Sequence, residues 1–132
     1  MAPLPIPVQA ALIVETSVLV RASIAEYLRE CGYKVYEAVS SDEALIILTE
    51  GNAAIDIVLS DVQISGALDG FGLARWIRNN RPTIKTLLAG TPAKASEIAS
   101  DLCETGPLMT KPYDKQLLLD RIKRLLAKSS DP

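Results

Sequence analysis

Histidine is absent from these 132 residues. That excludes every catalytic triad, metal site and phosphodonor built on an imidazole. Chemistry, if any, must use carboxylates, lysine, hydroxyls or thiols. Cysteine is scarce as well, with two residues only, Cys31 and Cys103. They have neither CxxC nor metal-ligand spacing, so a disulfide framework and a zinc site are excluded. Two reduced, partly buried thiols in a reducing cytoplasm are expected instead. No apolar run approaches the roughly 20 residues needed to span a bilayer, and Met1–Pro7 is proline-rich without the positive charge of a signal peptide. A cytoplasmic protein with no membrane contact is expected. Charge of one sign is lacking too: 14 basic against 16 acidic residues give a net −2. That argues against direct nucleic-acid binding through a broad basic field. Arg75, Arg78 and Arg81 cluster, but they read as the solvated side of a helix.

What the chain does have is 48% hydrophobic and 23% charged residues, enough for one packed domain and too little length for two. Ala10–Val14 is a continuous apolar run, the pattern of a strand buried on both faces. From Ser17 to about Cys31 the apolar residues Leu19, Ala22, Ala25 or Ile24, and Leu28 fall at helical spacing, and Gly32 stops the helix. Tyr33–Ala38 alternates as a strand. Ser40 and Glu43 form a capping box that opens a helix ending at Gly51. Ile55–Ser60 is a second buried strand, delivering Asp61.

Asp69 to Asn80 predicts a helix with Phe71, Ala74 and Ile77 inward and Trp76 half-buried, followed by the strand Ile84–Ala89. Pro92–Glu104 reads as a short helix and Leu108–Thr110 as a brief strand. Lys111–Pro112 opens a last helix striped by Leu118, Ile122 and Leu125. Strands alternating with helices through short switches specify an α/β domain, with a parallel sheet covered on both faces. The boundaries read as a flexible tail over 1–9, the domain over 10–128 and a second tail over 129–132.

In such a sheet, ligands and chemistry collect at the carboxyl ends of the strands. The residues just beyond the predicted strands are Glu15–Thr16, Asp61, Gly90–Thr91 and Lys111. A core needs none of these polar groups there. Together they suit phosphoryl transfer to a carboxylate. Asp61 would be the nucleophile, Glu15 and Asp61 would hold Mg²⁺, Lys111 would pair with a phosphoryl oxygen, and Thr91 or Thr16 could donate a hydrogen bond. Each has a plainer reading: Asp61 as a turn residue, Lys111 as a surface lysine before a helix-opening proline, Glu15 as an exposed strand-end acid, and both threonines as helix-start residues.

Leu12–Glu15 with Arg21, Val58–Asp61, Leu68–Gly70 and Lys111–Pro112, in that order, resemble the bacterial response-regulator receiver family, over about Ala10 to Leu126. The resemblance implies a flavodoxin-like doubly wound sheet of five parallel strands in the order 2-1-3-4-5, with five helices; the sheet order is one that general fold rules already illustrate with a chemotaxis regulator of this kind. It implies Asp61 as phosphoacceptor, Lys111 as the family's lysine, and Gln63 at the place where a backbone carbonyl binds Mg²⁺. It also implies a histidine kinase or histidine phosphotransfer protein as donor, an output protein met through protein–protein contacts, and no turnover beyond the domain's own phosphorylation and dephosphorylation. A homodimer stays open to it.

The chain departs from the family pattern at several places. Thr16 stands where a second acid would bind Mg²⁺ directly, which predicts weak metal binding. Gly90 stands where a hydroxyl follows the phosphoryl group, with Thr91 one residue later. Leu108 replaces the switch aromatic, and the loop Ile64–Leu68 is one residue longer than the commonest form. These departures motivate a second reading, a phosphorylation-independent docking module. An aspartyl-phosphate phosphatase would want Asp rather than Gln63, and a flavin protein a richer phosphate loop after the first strand.

Overall fold

The computed structural model describes residues 8–51, 53–90, 108–110 and 114–127. Five strands, β1 (Ala10–Val14), β2 (Lys34–Ala38), β3 (Ile57–Asp61), β4 (Lys85–Gly90) and β5 (Leu108–Thr110), form one sheet in the order β2-β1-β3-β4-β5. Every neighbouring pair is parallel. Four helices lie among the described residues: α1 (Val18–Glu30), α2 (Ser41–Glu50), α3 (Gly70–Asn80) and α4 (Lys115–Ala127). The helix expected over 92–104 lies outside the described residues, as do Cys103 and most of the two expected tails.

β1 runs down the middle of the sheet's first half and is buried at all five positions. Its side chains alternate. Ala11 and Ile13 join α1 and α4, through Ile24, Ala25, Leu28, Leu118 and Ile122, with Ile57, Leu59 and Leu87 of the neighbouring strands. Ala10, Leu12 and Val14 face the opposite layer, where Ala44 and Leu48 of α2 and Leu73 and Ile77 of α3 close the core. Each large side chain taken fully out of water contributes about 1.5–3 kcal/mol, and twelve such side chains lie below 2% exposure. Two such layers fix the register, because a one-residue slip would exchange them.

Local sequence sets the helix ends. Ser17 Oγ accepts from Val20 N at 3.4 Å, and Ser40 Oγ from Glu43 N at 3.2 Å. Glu43 closes the other half of its box on Val39 N, at 3.3 Å, rather than on Ser40. At the end of α1, Gly32 takes φ +98° while Gly32 N donates to Arg29 O and Tyr33 N to Leu28 O, both at 3.0 Å. This pairing satisfies two terminal carbonyls and requires the left-handed conformation that glycine tolerates.

Several expectations are corrected. Leu19 is 84% exposed, and Ala22 is exposed as well. α1 buries fully only side chains of its second half, Ile24, Ala25 and Leu28, while in its first turn Val20 packs partly on the core and Leu19 faces solvent. Phe71 is half-buried against Val62, Ala74 and Leu88, while Leu73, not singled out, is fully buried. Cys31 is exposed rather than partly buried. β2 begins at Lys34, one residue after Tyr33, whose amide completes the α1 terminus. β3 begins at Ile57, not Ile55, and includes Asp61. Likewise β4 runs from Lys85 to Gly90, not from Ile84 to Ala89. The last helix begins at Lys115 rather than at Lys111–Pro112, because Asp114 Oδ1 accepts from Gln116 N at 2.9 Å and from Leu117 N at 3.2 Å. Trp76 is half-buried against the core and carries Arg81 6.0 Å from its ring centroid. Arg75, Arg78 and Arg81 are exposed, as expected.

Candidate functional site

Parallel pairing of β1 with β3 sets Val14 opposite Ser60, so the next residues, Glu15 and Asp61, stand side by side at the carboxyl ends of adjacent strands. Asp61 is also level with Ala89 on β4, one residue before Gly90, which pairs with Thr110 of β5. Three strand ends therefore converge on Asp61.

Asp61 is partly exposed. Its Oδ1 accepts from Gln63 N at 3.1 Å, which fixes the carboxylate relative to the loop behind it. The chain around it is held from both sides. Val62 N donates to Ala89 O at 2.8 Å, and Gly70 N donates to Val62 O at 3.0 Å. A Cβ on Gly70 would collide with the Asp61 carbonyl oxygen and sit 2.7 Å from Val62 Cα. Only glycine lets the first turn of α3 press this closely on the backbone of the candidate acceptor.

Glu15 is 4% exposed, which removes its reading as an exposed strand-end acid. One oxygen, Oε2, accepts from Ser17 N at 3.0 Å. Arg21 Nη1 donates to the Glu15 carbonyl oxygen at 2.8 Å, and Arg21 Nε reaches Glu37 Oε1 on β2 at 3.3 Å. Arg21 thus anchors the turn that carries Glu15 and Thr16 to the neighbouring strand. In the sequence Arg21 entered only as part of the family resemblance, with no role attached, and its place on the strand-facing side of α1 gives it this work.

Thr16 is exposed, and its hydroxyl donates to Val39 O at 3.3 Å. It does not cap α1, since Ser17 does that. The same carbonyl accepts from Ser65 Oγ at 3.2 Å, so hydroxyls from two different loops meet on one oxygen. Lys111 and Thr91 lie outside the described residues.

Among the described residues, no three His, Cys, Asp or Glu side chains are grouped to hold a metal ion. Two carboxylates at neighbouring strand ends, with the Gln63 carbonyl beyond them, are a sparse oxygen set. Such a set fits Mg²⁺, which is commonly held by one or two carboxylates and keeps several waters.

Sequence comparison places this architecture among known proteins. The profile described as the response regulator receiver domain matches residues 11–123. Sensor kinase CckA of Brucella abortus is 34% identical over 120 residues, which cover 89% of this chain and 12% of that protein. Aerobic respiration control protein ArcA of Escherichia coli K12 is 28% identical over 118 residues, covering 89% of this chain and 48% of that protein. The chain thus spans half or less of the curated relatives it matches here. Among solved structures, the signal receiver domain of a signal transduction histidine kinase from Syntrophus aciditrophicus superposes with a TM-score of 0.80 at 26% identity, covering 94% of each chain. A protein from Chloroflexus aurantiacus assigned to the response regulators gives 0.81 at 28% identity, covering 92% of this chain and all of that one.

Proposed function

The chain belongs to the response regulator receiver domain family of two-component signalling, and on that premise we propose that Asp61 accepts a phosphoryl group from a phosphohistidine on another protein. The placement of Asp61 supports this best: a partly exposed carboxylate at the end of the central strand, beside Glu15 and pressed from behind by Gly70. The donor would be a histidine kinase or a histidine phosphotransfer protein, because these 132 residues carry no histidine of their own. The phosphorus–nitrogen bond of the donor breaks as a bond forms from phosphorus to an Asp61 carboxylate oxygen, giving an acyl phosphate and a free imidazole. Mg²⁺ held by Glu15, Asp61 and the Gln63 carbonyl would supply charge neutralisation, and Lys111 would pair with a phosphoryl oxygen. Most of the rate would come from alignment and electrostatics rather than proton transfer. The phosphorylated domain would signal in the cytoplasm through a changed affinity for an output protein.

A second reading, a docking module that works without phosphate, draws on one observation. The Thr16 hydroxyl is spent on Val39 O, so this residue works as a strut between loops and adds no charge for Mg²⁺.

Intact mass after incubation with Mg²⁺ and a small acyl phosphate separates the two. The proposal expects one phosphoryl group on the native chain and none on Asp61→Asn. A folded native chain that gains no mass from the acyl phosphate, nor from a phosphorylated histidine phosphotransfer protein, favours the docking module.

A further inference from the structure

Between Val62 and Asp69 the chain must cross from the phosphoacceptor to α3, and this loop is the one that is longer than usual. The loop turns at Gly66, whose φ of +110° few other residues adopt. Val62 is tied to Ala89 and Asp69 caps α3, but neither restrains the six residues between them. That restraint comes from α2. Ser41 N donates to Ser65 O at 2.9 Å, and Ser41 Oγ accepts from Leu68 N at 3.0 Å. Asp42 Oδ1 accepts from Ala67 N at 3.4 Å, and Ser65 Oγ donates to Val39 O. Ser41 has no exposed surface at all, an unusual position for a serine in the first turn of a helix.

Gly66 lies so close to Ser41 that a Cβ there would overlap Ser41 Oγ and come within 3.1 Å of Asp42 Oδ2. Glycine and serine therefore interlock. The loop held in this way begins with Gln63, whose amide fixes the Asp61 carboxylate. Resting on the reading of Asp61 as acceptor, we propose that Ser41 is a positioning residue for phosphoryl acceptance. It touches neither the donor nor Asp61. It clamps the loop onto α2 so that the Gln63 amide holds the acceptor oxygen in line, and alignment of this kind is where such a reaction gains its rate. Asp42 shares the task with a longer, exposed hydrogen bond, and its part is smaller.

The test is the rate of acyl phosphate formation at Asp61 in native chain, Ser41→Ala, Asp42→Ala and Thr49→Ala, with donor and Mg²⁺ saturating. It is run well below each variant's melting midpoint and normalised to folded protein. Thr49 bonds only within α2, to Leu45 O, and serves as control. The expected result is a fall of about fivefold for Ser41→Ala, the size of one lost hydrogen bond, a smaller fall for Asp42→Ala and none for Thr49→Ala. The Gln63 and Leu68 amide resonances should shift in Ser41→Ala. If Ser41→Ala fails to fold, Asp42→Ala decides: a reduced rate supports the clamp and an unchanged rate overturns it. A Ser41→Ala that melts lower yet reacts at the native rate overturns the proposal and leaves Asp61 as acceptor. A native chain that takes up no phosphoryl group overturns both.

Discussion

Two aspartates at the ends of strand β3 have opposite fates. Asp56, just before it, turns its carboxylate onto the backbone of the neighbouring strand and accepts from Ala10 N at 2.7 Å. Its own amide and carbonyl continue the ladder, to Ala10 O at 2.9 Å and from Lys85 N at 3.0 Å. Asp61, at the far end, is met by a loop amide, a glycine-faced helix turn and a second carboxylate's strand end. The same side chain on the same strand is a staple at one end and a candidate reactive group at the other. What separates them is the end of the sheet: at carboxyl ends the chain leaves into loops that can gather polar groups, and at amino ends it arrives already paired.

Substitutions can break or sharpen this contrast. The largest effect is expected from Asp61→Asn, which should abolish phosphoryl uptake by intact mass while the melting temperature stays near native. Gly70→Ala should follow. Its methyl must displace the Asp61 carbonyl, costing about 1–3 kcal/mol by overpacking, and urea unfolding should show that loss together with slower uptake. Asp56→Ala should produce the reverse of Asp61→Asn. It leaves the amide of the nearly buried Ala10 without its carboxylate, for a loss of about 1–3 kcal/mol, while the folded fraction takes up phosphate at the native rate. An Asp56→Ala protein with native stability would erase the distinction between the two ends. The smallest change is expected from Thr16→Asp, which supplies a further carboxylate beside Glu15. Mg²⁺ titration should show affinity raised about tenfold, near 1.4 kcal/mol, and an unchanged affinity would place the metal away from this turn.

The contrast also shows how far the residues alone can be read. The alternation of strands and helices, the cap at Ser40 and the glycine stop at Gly32 depend on local chemistry and period, and the sequence displays them; the strand order followed only from the resemblance to the receiver family. The nomination of Asp61 and Glu15 followed from strand ends alone. Burial depends on what lies opposite, so Leu19 looked inward by spacing and is solvent-exposed, while Leu73 and Leu119 were passed over and are buried. Ser41 had no signal: one more serine beside the Ser40 cap looks like helix-start chemistry, and only the approach of Gly66 from 25 residues away gives it a role. Asp56 was hidden for the same reason, because its partner Ala10 is 46 residues distant.

One feature of the sheet bears on how copies of this chain behave in a crowd. β2 is an edge strand, and an open edge invites strands from other molecules to add on. Arg29 extends from α1 and places Nη2 2.9 Å from Val35 O, with Glu37 Oε2 at 3.3 Å holding the same nitrogen. Lys34 pairs toward β1, so Val35, the next residue, turns its carbonyl outward. Capped by a guanidinium, that carbonyl is unavailable to an incoming strand, and the salt bridge leaves a charged group standing where such a strand would lie. The arginine thus blunts the open edge in the way charged side chains do on natural sheets, where an unguarded strand would template the next molecule.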